Sequence, residues 1–139
     1  MSKTIEQKVV FKNTTPRALY KLYMDAKLHG LVTGGVTKIT AKAGSPFTAC
    51  DNYITGKTLH LVKDELIVQT WRGKDWDKAD PDSVFTLRFE KKGKDAVVFM
   101  VHAFVPDKEA KGITSGWNDF YWTPWKQHLA GKPISRPKM

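Results

Sequence analysis

One cysteine in 139 residues, Cys50, is too few for an internal disulfide and leaves no Cys-rich metal site to build. Long apolar runs are also missing. The longest nearly unbroken one, Ala96 to Val101, falls far short of the roughly 20 residues that cross a bilayer. The start, Met1-Ser2-Lys3-Thr4-Ile5-Glu6, lacks the apolar stretch of a secretory signal, so the sequon Asn13-Thr14-Thr15 reads as a helix cap. The four histidines, His29, His60, His102 and His128, share no metal-ligand spacing. Asp75, Asp77, Asp80 and Asp82 cluster without the central glycine and terminal glutamate of a calcium loop, and read as a solvated turn. No nucleophile motif surrounds Cys50, and no acid–base pair stands at a recognisable spacing. These absences predict a cytoplasmic, non-enzymatic protein with no metal, no cofactor and no membrane span. Its length predicts a single domain over 1–139, with a core of about 5–130 and a basic tail at 131–139.

What is present in excess is positive charge and tryptophan. Lys and Arg number 23 against 14 Asp and Glu, a net charge of +9. The two halves of the chain divide it almost evenly, +5 over residues 1–70 and +4 over 71–139, which argues against a nucleic-acid site. Only the tail concentrates it, with Lys126, Lys132, Arg136 and Lys138 facing no acid. Aromatics make up 12% and include five Trp.

The periodicity sets the order of elements. Ile5 to Phe11 alternates as a strand. Asn13-Thr14-Thr15-Pro16 then offers a cap to a short helix carrying Ala18, Leu19, Leu22, Tyr23 and Ala26, and Leu28 to Val32 extends it or forms a second helix ending at Gly34-Gly35. Period-two patterning follows in Val36–Ala41, Phe47–Cys50, Tyr53–Leu61, Glu65–Arg72, Val84–Lys91 and Ala96–Phe104. Connections this short permit only an antiparallel meander. After Pro106, with Asp107 as the expected cap, Ile113, Trp117, Phe120, Tyr121, Trp125 and Leu129 form one helical stripe. Pro124 predicts a kink near Phe120. The result is an α+β fold: a curved antiparallel sheet of about seven strands wrapped on a long C-terminal helix, with short helices after the first strand.

Six segments, in this order, resemble one family. They are Gly44-Ser45-Pro46-Phe47, Asp51-Asn52-Tyr53-Ile54-Thr55-Gly56, Ile67 to Arg72 followed by Trp76, Ser83 to Leu87, His102 to Pro106, and Gly116-Trp117-Asn118-Asp119-Phe120-Tyr121-Trp122. Together they resemble, over about Lys8 to Leu129, the C-terminal domain of the activator of the ninety-kilodalton heat-shock chaperone's ATPase and its stand-alone homologues. The resemblance implies the START-like helix-grip fold and a cavity for apolar ligands. Asn52 stands where that family commonly has glycine. The separate N-terminal domain of the chaperone activators finds no room in this chain.

A curved sheet closing on one helix leaves an elongated cavity between them. Phe47, Trp71, Phe85, Trp117 and Tyr121 are the expected lining; His102 is a polar anchor if its strand face looks into the cavity, and otherwise an edge or surface histidine. Arg72 should face solvent on the other side of the strand from Trp71. Trp and Tyr carry polar handles, which suits a partly polar cavity. The expected function is binding of a small apolar or aromatic molecule. The alternative is docking on a heat-shock chaperone and stimulation of its ATPase.

Overall fold

The structure is a computed structural model that describes residues 2–137; Lys138 of the basic tail lies outside the described residues. Strand β1 (Ser2–Phe11) ends in a turn, and Thr15 caps helix α1 (Pro16–Met24), its side chain accepting from the Ala18 N–H at 3.2 Å. Pro16 at the first helical position has no N–H to leave unpaired. A separate helix α2 (Ala26–Thr33) follows, capped by Asp25 on the Leu28 N–H at 3.0 Å and closed by Gly34 at φ 86°. That left-handed value is one glycine adopts without strain.

Five more strands complete the sheet: β2 (Pro46–Ala49), β3 (Ile54–Val62), β4 (Leu66–Gly73), β5 (Ser83–Lys92) and β6 (Asp95–Pro106). They pair antiparallel in the order β1-β6-β5-β4-β3-β2, so β1 returns beside the last strand. Among the described residues the sheet has six strands, not seven. Val36–Ala41 does not form one; its contact with the sheet is a single bridge between Lys38 and Thr48. The short β2 pairs with β3 and offers too little edge for a further strand. The ladder of β1 with β6 shifts between Lys3 and Ile5, opposite Phe104 at φ 60°, a bulge that bends the strand.

After Pro106 the chain runs as one helical rod in three pieces: α3 (Asp107–Trp117), a π turn (Asn118–Trp122) and α4 (Thr123–Leu129). Asp107 sits in the first turn of α3, with Pro106 at the cap, so it adds charge at the N-terminus without capping by its side chain. The π turn lies where a kink was expected. Pro124 has no N–H for the Phe120 carbonyl, and the Thr123 N–H reaches back five residues to Asn118. The rod absorbs the proline as a widened turn.

The core lies between the rod and the concave face of the sheet, where Phe85, Leu87 and Phe89 alternate inward as expected. Phe11, Trp122 and Trp125 pack at one end, with Phe11–Trp125 ring centroids 5.8 Å apart. No helix among the described residues is long and apolar enough to cross a membrane.

Candidate functional site

Between the rod and the sheet lies a cavity of about 620 Å³. Its floor is Trp71 on β4 with Trp76 from the following loop, their rings 5.6 Å apart. One wall is α3 and the π turn, with Ile113, Trp117, Phe120 and Tyr121; the other is the β2–β3 turn, with Cys50, Asp51 and Tyr53. Two glycines, Gly112 and Gly116, stand four residues apart on the lining face of α3. A Cβ added at either meets no atom within 4 Å. Glycine inside a helix is less stable than alanine by about 0.5–1 kcal/mol, and here two of them leave open space in place of side chains.

The β2–β3 turn is unusual in its backbone. Cys50, Asp51 and Asn52 have φ of 51°, 56° and 72°, three consecutive non-glycine residues in the left-handed region. Such residues normally occur singly, and each is strained by about 1–2 kcal/mol. Asn52, where the family has glycine, keeps a glycine-like conformation. Asp51 steadies the turn by accepting the Val36 N–H at 2.7 Å.

Of the six expected lining residues, Trp71, Trp117 and Tyr121 face the cavity. Phe47, Phe85 and His102 are buried away from it. Phe47 packs on Gly56, where a Cβ would lie 2.5 Å from its ring. Phe85 lies between Tyr23 and Trp117. His102 is neither surface nor cavity: it is fully buried behind Trp117. The Trp117 indole N–H donates to His102 Nδ1 at 3.0 Å, so Nε2 carries the ring proton and donates to Ser83 Oγ at 2.8 Å. Ser83 in turn donates to the Trp71 carbonyl at 2.6 Å. Burial lowers His102 to about 4, and this relay holds it neutral.

A second buried network was not anticipated. Tyr121 donates its hydroxyl proton to His29 Nε2 at 2.8 Å, and His29 Nδ1–H donates to the Tyr23 carbonyl at 2.8 Å. The Tyr23 hydroxyl donates to Gln69 Oε1 at 2.8 Å, and the Gln69 amide donates to Thr58 Oγ1 at 3.0 Å. Desolvation lowers His29 to about 4 and raises both tyrosines well above their usual values. No sequence spacing links residues 23, 29, 58, 69 and 121; only buried polar side chains beside apolar ones hint at them.

Burial, and then the charge of Asp51, push the Cys50 thiol up to about 12, so at neutral pH it is protonated and a poor nucleophile. Among the described residues no three His, Cys, Asp or Glu side chains gather into a metal-binding group. Arg72 does not point freely into solvent. It donates to the Asp80 and Asp77 carbonyls at 2.7 and 2.6 Å and pairs with Asp82 at 3.3 Å. Asp75, Asp77 and Asp82 are exposed, as expected of a solvated turn, while Trp76 within the loop is buried.

The family of activator of Hsp90 ATPase homolog 1-like proteins matches residues 13–130. No curated protein matches the chain in sequence. Among solved structures, an HSP90 activator from Plasmodium falciparum is similar with a TM-score of 0.82 and 21% identity, over 94% of this chain and 97% of that one. CalU16 from Micromonospora echinospora is similar with a TM-score of 0.76 and 16% identity, over 95% and 77%. Protein MLL2253 from Mesorhizobium loti has a TM-score of 0.80 and 17% identity, over 95% and 100%. At these identities the likeness is one of fold.

Proposed function

Because the chain belongs to the activator of Hsp90 ATPase homolog 1-like family, we propose that it is a non-enzymatic START-like binding domain that holds a small apolar or aromatic molecule between its sheet and its C-terminal helix. Trp71, Trp117 and Tyr121 contact the ligand, while Phe85 and His102 back Trp71 and Trp117 and Phe47 packs on Gly56. The observation that carries this reading is the groove over Gly112 and Gly116, where helix stability is given up and the space stays empty. A cavity of about 620 Å³ lies within the roughly 300–1,000 Å³ typical of small-molecule sites. The test is native mass spectrometry of the purified protein, together with titration by the neutral dye Nile red. A co-purified molecule, or a saturable one-site rise in dye fluorescence, is the expected result; neither a bound mass nor a saturable rise would overturn the reading.

A second reading is favoured by the similarity to the Plasmodium HSP90 activator. In it, the +9 surface docks on a ninety-kilodalton heat-shock chaperone and stimulates its ATPase. A charged encounter of this kind weakens as salt rises. The reading predicts ATPase stimulation that declines between about 50 and 200 mM salt. An unchanged ATPase rate across a range of protein concentration would contradict it.

A further inference from the structure

The charge that lines the cavity is of one sign. Trp117 donates its N–H to His102 and Tyr121 donates its hydroxyl to His29, so both meet the cavity as rings with their donors already engaged. The Tyr53 hydroxyl donates to Asp75 at 2.6 Å. The charged side chains lining the cavity are Asp51, at the strained turn, and Glu109, in the first turn of α3. Among the described residues no Lys or Arg lines it, although the chain carries 23 of them. Lys108 and Arg72, each next in sequence to a lining residue, are engaged elsewhere, and Arg136 lines a second pocket that also touches Asp51. Lys108 pairs with Asp77 at 2.6 Å, and Arg72 is bound into the acidic loop. Burial first, then the bond to Asp75 and the charges of Asp75 and Glu109, push the Tyr53 hydroxyl up to about 12, consistent with a negative potential at this end.

An aromatic floor and an anionic rim without a cationic side chain are complementary to one ligand chemistry. Carboxylates accept strong hydrogen bonds from ammonium groups, and aromatic faces attract cations through their quadrupoles. A carboxylate or phosphate ligand would meet two like charges and no cationic side chain among the described residues.

We propose that the ligand is an organic amine, its apolar body lying between the Trp71–Trp76 pair and the Trp117–Tyr121 wall and its ammonium group at Asp51 and Glu109. This rests on the ligand-binding reading above and names the chemical class. The amine end selects; the apolar body supplies the contact area.

The test uses three isosteric probes in calorimetric titrations at pH 7: 2-naphthylmethylamine as the cation, 2-naphthalenemethanol as the neutral form and 2-naphthoate as the anion. The amine is expected to bind about tenfold more tightly than the alcohol, and the naphthoate more weakly than either. Glu109→Gln and Asp51→Asn, which keep size and left-handed tolerance, are expected to erase the amine's advantage and leave the alcohol unchanged. Alcohol binding as tight as amine binding would overturn the amine assignment and leave the cavity reading standing. An amine advantage that survives both substitutions would overturn the role given to these carboxylates. If no probe binds, the cavity reading itself fails, and the assignment with it.

Discussion

Two regions under the same helical rod use the same residue types to opposite ends. Around Tyr23, His29 and Tyr121 the hydroxyl and ring donors meet acceptors, and Phe11 and Trp125 pack fully buried beside them, although the Trp125 indole N–H has no partner. Some turns N-terminal along the rod, the groove over Gly112 and Gly116 is lined by equally large aromatics yet left empty. The difference lies in neither hydrophobicity nor aromatic content. It lies in two residues without side chains and in a turn of three left-handed residues that holds the opposite wall. Filling gives the first region its stability, and emptiness gives the second its capacity to bind.

The largest expected effect is on acid stability. His29 and His102 have folded values of about 4 against an ordinary 6.5, so the unfolded chain binds more protons between those limits. Stability is therefore complete above about pH 6.5 and is lost as pH falls through about 4, by roughly 3 kcal/mol for each histidine. Urea unfolding at pH 7, 5.5 and 4.5 should show the midpoint falling steadily. A flat midpoint would mean that the buried networks do not hold the filled region shut.

Removing one hydroxyl sharpens the comparison. Tyr23→Phe leaves Gln69 Oε1 buried without its donor and should destabilise by about 1–3 kcal/mol in urea titrations. Because Tyr23 does not line the cavity, dye binding should be unchanged. If binding is lost in step with stability, the two regions are not separable. The smallest effect has the opposite sign. Gly112→Ala should stabilise by about 0.5–1 kcal/mol, since its methyl group meets nothing and the helix gains. A loss of stability there would contradict the view that this glycine serves space rather than packing.

The filled region was partly legible in the sequence. The inward alternation of Phe85, Leu87 and Phe89 and the stripe through Trp117, Tyr121 and Trp125 follow from period two and period 3.6, which report burial directly. The Thr15 cap and the order of the hairpins follow from local chemistry. Val36–Ala41 misled because alternation signals which face is buried, while a strand also needs a partner, and β2 is too short to give one. The His29 network was illegible because its members meet through the fold alone. The indole and phenol handles of Trp117 and Tyr121 were expected to serve a partly polar cavity; they point instead to histidines inside the protein. The part played by Gly112 was illegible too, because nothing in a one-dimensional pattern distinguishes missing bulk from reserved space.

Gly116→Leu tests the central claim most directly. A leucine side chain on a helix leans toward the preceding turn, here over Gly112, and so fills the groove without meeting the filled region. Nile red titration of this variant beside the unaltered protein, with urea unfolding of both as the control, should show dye binding weakened by about a hundredfold, equivalent to roughly 2.7 kcal/mol, at unchanged or raised stability. Equal dye affinity in the two proteins would place the ligand elsewhere and contradict the account.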